Sequence, residues 1–197
     1  MKKLGCQTTI LLLALVAGGL WYGGNLAWKA IRGDVANDWA VTLDDQLVKV
    51  CEDTYYTTAP AYTGTAAPHP IAVYDLGEKT PRDELLIGPD IPAATSKAWN
   101  PAKADVQLVG CAEKVADGAE IGTCEFDSGI KAPVRTGVWE VRLREVKTRK
   151  EIATVRIDGK DKTCPLIKLV KEGEEPVVYS SPSVKQYYDA LKQYVEG

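Results

Sequence analysis

Between Thr8 and Trp28 the chain carries no charged side chain, a run of 21 residues. As a helix it would extend roughly 31 Å at ~1.5 Å per residue, the thickness of a bilayer's hydrocarbon core. Trp21, Tyr22 and Trp28 gather towards its carboxyl end, where amphipathic rings favour the headgroup level. Lys2 and Lys3 precede the run, Lys29 and Arg32 follow it, and every acidic residue lies after residue 33. This weak positive-inside bias predicts a cytoplasmic tail over residues 1–7, a transmembrane helix over 8–28 and an extracytoplasmic remainder. The competing reading is a cleaved signal peptide, with Ile10 to Val16 as its apolar core and Ala17 to Leu20 as a small-residue cleavage zone. The apolar stretch runs on through Leu20, Trp21 and Tyr22, which favours an uncleaved anchor. Within it Ala14, Gly18, Gly19 and Gly23 recur at four-residue spacing, a pattern that lets a second helix approach closely. Each glycine costs ~1 kcal/mol of helix propensity relative to alanine. Packing against a neighbouring helix offsets that cost, so other subunits of a membrane complex are the expected partners.

Beyond residue 33 the chain keeps 20 of its 24 basic residues against all 27 acidic ones, a net charge of −7. Nucleic-acid binding rests on cationic contacts to phosphate, and this balance argues against it. The single histidine, His69, lies between Pro68 and Pro70 and reads as a solvated loop residue. No nucleophile elbow, phosphate-binding loop, dinucleotide fingerprint, zinc-protease helix or calcium loop is present. Acidic pairs such as Asp83-Glu84 and Glu174-Glu175 sit in polar turns, where solvation accounts for them. No catalytic residue, metal or cofactor is therefore expected, and a small-molecule ligand is left unidentified.

Cys51, Cys111, Cys124 and Cys164 fall on the extracytoplasmic side, and an even count there predicts two disulfides. Asp117-Gly118 has the composition of a two-residue hairpin turn. If the chain reverses there, Cys111 faces Cys124 at a non-hydrogen-bonded position with α-carbons ~4.5 Å apart, within disulfide range. The predicted pairing is thus Cys111–Cys124, leaving Cys51–Cys164.

Residues 29–70 read as a membrane-proximal helix and a connector. Leu43, Leu47, Val50 and Cys51 share helical spacing behind a Thr42 cap. The Thr/Ala/Pro-rich stretch 57–70 reads as an extended linker. The β-rich domain then spans 71–197. It opens on an apolar strand, Ile71–Tyr74, continues through an irregular 76–104 with Trp99 as a plug beneath it, and enters the 105–126 hairpin. A second hairpin covers 135–157, where Trp139, Val141 and Leu143 alternate with Glu140, Arg142 and Arg144. Setting Glu140 opposite Arg156 avoids a like-charge pair in the sheet. One face then carries Arg142, Arg144 and Arg156, suited to an anionic lipid, an acidic glycan or an acidic partner, and equally to plain solvation. Leu166–Val170 and Pro176–Tyr179 read as short strands. Ser181 and Pro182 then start a helix whose apolar stripe is Val184, Tyr187, Tyr188, Leu191 and Val195. The stripe packs on the sheet, or Tyr187 and Tyr188 dock a partner.

The expected fold is α+β: an N-terminal transmembrane helix, then a β-rich extracytoplasmic domain of antiparallel hairpins closed by a C-terminal helix. An apolar helix ahead of a disulfide-bonded β domain is similar to the plan of pilin-like subunits, although Ile10 stands where those carry a glutamate. The function expected is that of a non-enzymatic accessory or scaffold subunit at the membrane, with a stand-alone ligand-binding domain as the alternative.

Overall fold

The Ile71–Tyr74 run is apolar at every position because both of its faces are covered. In the computed structural model it forms β3 (Ile71–Asp75), buried at all five residues. Alternation sends Ile71 and Val73 to one side, against Trp139, Val141, Leu143, Ile157, Leu191 and Val195. It sends Ala72 and Tyr74 to the other, against Leu47, Val50, Val109 and Cys111. Continuous apolar runs are the signature of strands sandwiched in this way. The residues described are 33–63, 67–77, 82–83, 89, 91–126, 129–166, 173 and 175–197. The predicted span 8–28, with Ala14, Gly18, Gly19 and Gly23, lies outside them. Among the described residues no helix is long and apolar enough to cross a membrane.

The protein is mixed α+β. β1 (Val35–Asn37) pairs with β2 (Thr54–Tyr56) in a small sheet, and between them lies α1 (Asp44–Glu52). The main sheet runs β4 (Arg82–Asp83), β3, β5 (Leu108–Glu125), β6 (Lys131–Glu145), β7 (Glu151–Asp158), with β8 (Val178–Ser180) also alongside β6. A short α2 (Ser96–Trp99) and the C-terminal α3 (Val184–Val195) complete the fold. Trp99 and Ala98 of α2 join α3 in the core on one face of the sheet, and Leu47 and Val50 of α1 pack into the core on the other.

The predicted helix after residue 42 is present, but its cap is not Thr42. Helix α1 begins after Leu43, and the Gln46 side chain accepts from the backbone N–H of Thr42 at 2.7 Å and of Leu43 at 3.0 Å. Leu43 itself is exposed rather than part of the buried stripe. The C-terminal helix likewise starts later than predicted. Ser183, not Ser181, caps it by accepting from Gln186 N–H, while Gln186 accepts from Ser183 N–H, a reciprocal capping box.

The 105–126 hairpin is corrected. Strand β5 passes straight through Asp117-Gly118 and stays paired with β6 from Leu108↔Glu145 to Glu125↔Lys131, with three register shifts along the way. A type I′ turn needs positive φ at both central residues, and neither Asp117 nor Gly118 has it. Glycine stands at 118 because a Cβ there would lie 2.9 Å from that of Thr136 on β6. The reversal comes at 126–130 instead, where Gly129 adopts φ 76° and Phe126 N–H donates to the Ile130 carbonyl at 3.0 Å.

The disulfide pairing changes with it. Cys111 and Cys124 lie thirteen residues apart on one strand, opposite Arg142 and Ala132 respectively, a separation of roughly 40 Å in extended chain. The bonds are Cys51–Cys111 and Cys124–Cys164. The first ties α1 to the sheet; the second ties the ribbon tip to the segment after β7.

The second hairpin has the predicted register from Val138 to Leu143, with Glu140 opposite Arg156 and Val141 opposite Val155, and shifts by one residue where Arg144 faces Glu151. Two parallel neighbours were not foreseen: β3 beside β5 and β8 beside β6. Parallel pairs need long crossovers, here 76–107 between β3 and β5 and 146–177, which includes β7, between β6 and β8, whose return leaves no local pattern in the sequence. Of the two predicted late strands, β8 covers part of the second, while 167–170 lie outside the described residues.

Strand β8 is locked by Ser180. Its hydroxyl accepts from Gly137 N–H at 3.1 Å and donates to the Gly159 carbonyl at 2.7 Å, and its own carbonyl accepts from Trp139 Nε1 at 3.1 Å. A Cβ on Gly159 would overlap the Ser180 carbonyl. Gly159→Ala should therefore destabilise the protein by about 1–3 kcal/mol, the usual cost of forced overpacking. Urea unfolding checks this, and an unchanged midpoint contradicts it.

Candidate functional site

Arg142 and Arg144 of β6 lie on the sheet face that α1 covers, and for Arg144 this decides its role. Helix α1 ends in carbonyls without intrahelical partners and in the negative pole of its dipole. Arg144 Nη1 donates to the Val50 and Cys51 carbonyls at 3.2 and 3.1 Å. Arg149 Nε donates to Val50 O at 3.2 Å, and its Nη2 to Glu52 O. Arg149 sits at φ 59° in the β6–β7 turn. Both arginines thus cap α1 next to the Cys51–Cys111 bond.

Arg142 lies farther along the same face, donating from Nη2 to Glu113 at 3.1 Å with Nε 3.8 Å from Glu140. Arg156, directly opposite Glu140, is 70% exposed at its side chain and lies 3.9 Å from Asp158. The predicted basic face is therefore a mixed-charge surface. Exposed pairs of this kind contribute about 0–1 kcal/mol to stability, so their placement shapes a surface more than it holds the fold.

The two tyrosines separate. Tyr187 is 2% exposed within the core, which removes it from any docking surface and corrects that reading of it. Tyr188 is half-buried; its ring lies 5.2 Å from that of Trp99, and its hydroxyl donates to Glu196 at 3.2 Å. Burial, and then the Glu196 charge, raise the Tyr188 hydroxyl above its ordinary pKa. Trp99 is a core residue, with its Nε1–H bonded to the other Glu196 oxygen at 3.1 Å.

His69, expected in solvent, is 1% exposed. The connector is stitched down on both sides of it. His69 N–H donates to the Val195 carbonyl at 2.7 Å, and the Pro70 carbonyl accepts from Gln107 and Leu108 N–H. The imidazole Nδ1 lies 2.7 Å from Gln107 Oε1, Tyr62 packs against the ring at 4.4 Å, and Nε2 has no hydrogen-bond partner among the described residues. A cleft of about 440 Å³ is lined in part by Pro68, Pro70, Lys97 and Asp105. A second, of about 340 Å³, is lined in part by Tyr62, Glu145 and Ile152. Among the described residues no group of histidines, cysteines and carboxylates could hold a metal ion.

Sequence reasoning missed one polar cluster. Asp117 on β5 bonds Lys114 and accepts from the Tyr179 hydroxyl of β8 at 2.9 Å, with Lys114 Nζ 3.8 Å above the Tyr179 ring. Tyr179 is 62 residues away in sequence, and Asp117-Gly118 has the composition of a turn, so no local signal joins them. Lys114, and then Tyr179, hold the Asp117 carboxyl below its ordinary range. The bond to Asp117 is the main cause that raises Tyr179. Both groups are held in their usual neutral-pH forms, which suits a clasp; acid–base catalysts have their pKa values drawn towards neutrality.

No protein-family model, curated protein or solved structure matches the chain.

The lowered Asp117 pKa makes its contribution full above the unfolded value near 3.8 and lost as pH falls through the folded one. The raised Tyr179 pKa makes its contribution full below 10.0 and lost as pH rises through the folded value. The clasp should hold between these limits. In Asp117→Asn, Tyr179 should titrate closer to 10.0, followed by carbon NMR of the tyrosine ring; an unshifted titration contradicts the clasp.

Proposed function

We propose that this chain is a non-enzymatic, single-pass accessory or scaffold subunit of a larger membrane complex, presenting its β-rich unit outside the cytoplasm. The two disulfides are consistent with an oxidising, extracytoplasmic compartment. The observation that carries the reading is how the polar side chains are employed. Arg144 and Arg149 cap a helix, Ser180 locks a strand and Asp117 clasps Tyr179. Such commitments build a rigid platform. Arg142, Arg156 and Tyr188 remain available at its surface, and Ala14, Gly18, Gly19 and Gly23 supply a close-packing stripe for a neighbouring helix.

The alternative, a stand-alone ligand-binding domain, is favoured by the 440 Å³ cleft beside Pro68 and Pro70, a volume within the usual range for small-molecule sites. Gentle detergent extraction with a tag after Gly197, then sizing and mass spectrometry, separates the two. The accessory reading predicts a large stoichiometric assembly, lost in the Gly19→Leu, Gly23→Leu double variant. A lone chain contradicts it and turns attention to ligands that raise the melting temperature.

A further inference from the structure

Six large apolar side chains stand out as exposed among the described residues, and three of them fall within nine positions: Val35, Trp39 at 55% and Leu43 at 58%. This is no loose end. Thr57 donates from N–H and hydroxyl to the Asn37 carbonyl at 2.9 and 3.2 Å, Thr58 donates to the Trp39 carbonyl at 3.0 Å, and Val41 is buried. The backbone is fastened on both sides of Trp39 while the indole faces outward. Leu43 follows as the residue before α1.

An exposed indole with an apolar body and one N–H donor suits the water–lipid boundary better than bulk water. Position along the chain points to the same place. Trp39 lies eleven positions after Trp28 at the end of the apolar span, a reach of at most roughly 40 Å. We propose that Trp39 and Leu43 insert at the outer headgroup–hydrocarbon boundary of the membrane that holds residues 8–28, a second contact that rests on the single-pass reading above. Asp38 and Asp45 flank the pair, so the surface recognised is zwitterionic lipid; anionic headgroups are repelled.

The test uses the full chain in phosphatidylcholine vesicles, with and without lipid brominated near the headgroup end of its acyl chains. Wild-type minus Trp39→Phe emission isolates Trp39 from Trp21, Trp28, Trp99 and Trp139. The difference emission should be blue-shifted and quenched about two-fold by bromine, as for an interfacial indole, and less so in phosphatidylserine-rich vesicles. Leu43→Ser should reduce the quenching while leaving the fold intact, since serine is a favoured residue at a helix N-cap. Difference emission indifferent to bromine overturns the proposal, whether Trp39 then faces water or is covered by protein. Alkaline carbonate distinguishes the two levels of failure. Release of the chain overturns the single-pass reading and this inference together; retention without quenching overturns this inference alone.

Discussion

The end-to-end pairing of β5 with β6 is the constraint from which the rest of this structure follows. It gives β3 a parallel partner on one flank and β7 and β8 partners on the other. Because β5 is long, its two cysteines cannot meet. Each reaches a separate element, Cys111 to α1 and Cys124 to the segment after β7. The closed loops, 60 and 40 residues apart in sequence, would each remove about 4 kcal/mol of unfolded-chain entropy in the simplest treatment. Both ends of the ribbon are thereby braced, and β8 is clasped to its middle by Asp117 and Tyr179.

Two arginines are used inside this framework. The carbonyl end of α1 is an anionic feature built from backbone dipoles, and Arg144 and Arg149 complete it. Of the three arginines that strand alternation places on one face, Arg144 is consumed in this way. The remaining Arg142 and Arg156 stand among Glu113, Glu140 and Asp158. A partner meeting this face would encounter alternating charge, which favours specificity of register over broad attraction to acidic surfaces.

Legibility in the sequence followed the range of the interaction. The Ile71–Tyr74 strand, the β6–β7 register and the buried stripe of α3 were readable because each is a local periodicity reinforced by burial. Asp117-Gly118 misled because the dipeptide is shared between a tight turn and a close cross-strand contact. Only the backbone angle at 118 and the proximity of Thr136 tell the two apart. His69 misled for a related reason. Two flanking prolines signal irregular chain, yet irregular chain can still be buried when its backbone groups find partners, here Val195, Gln107 and Leu108. The Lys114–Asp117–Tyr179 cluster and both parallel strand pairs depend on crossovers that no short window contains.

The most direct test is to map the disulfides of the intact protein by proteolysis without reduction, followed by mass spectrometry. A β5 that runs unbroken through Asp117-Gly118 predicts peptides joined as Cys51–Cys111 and Cys124–Cys164. A Cys111–Cys124 linkage would mean the chain turns back at Gly118, and the ribbon with everything built on it would be wrong.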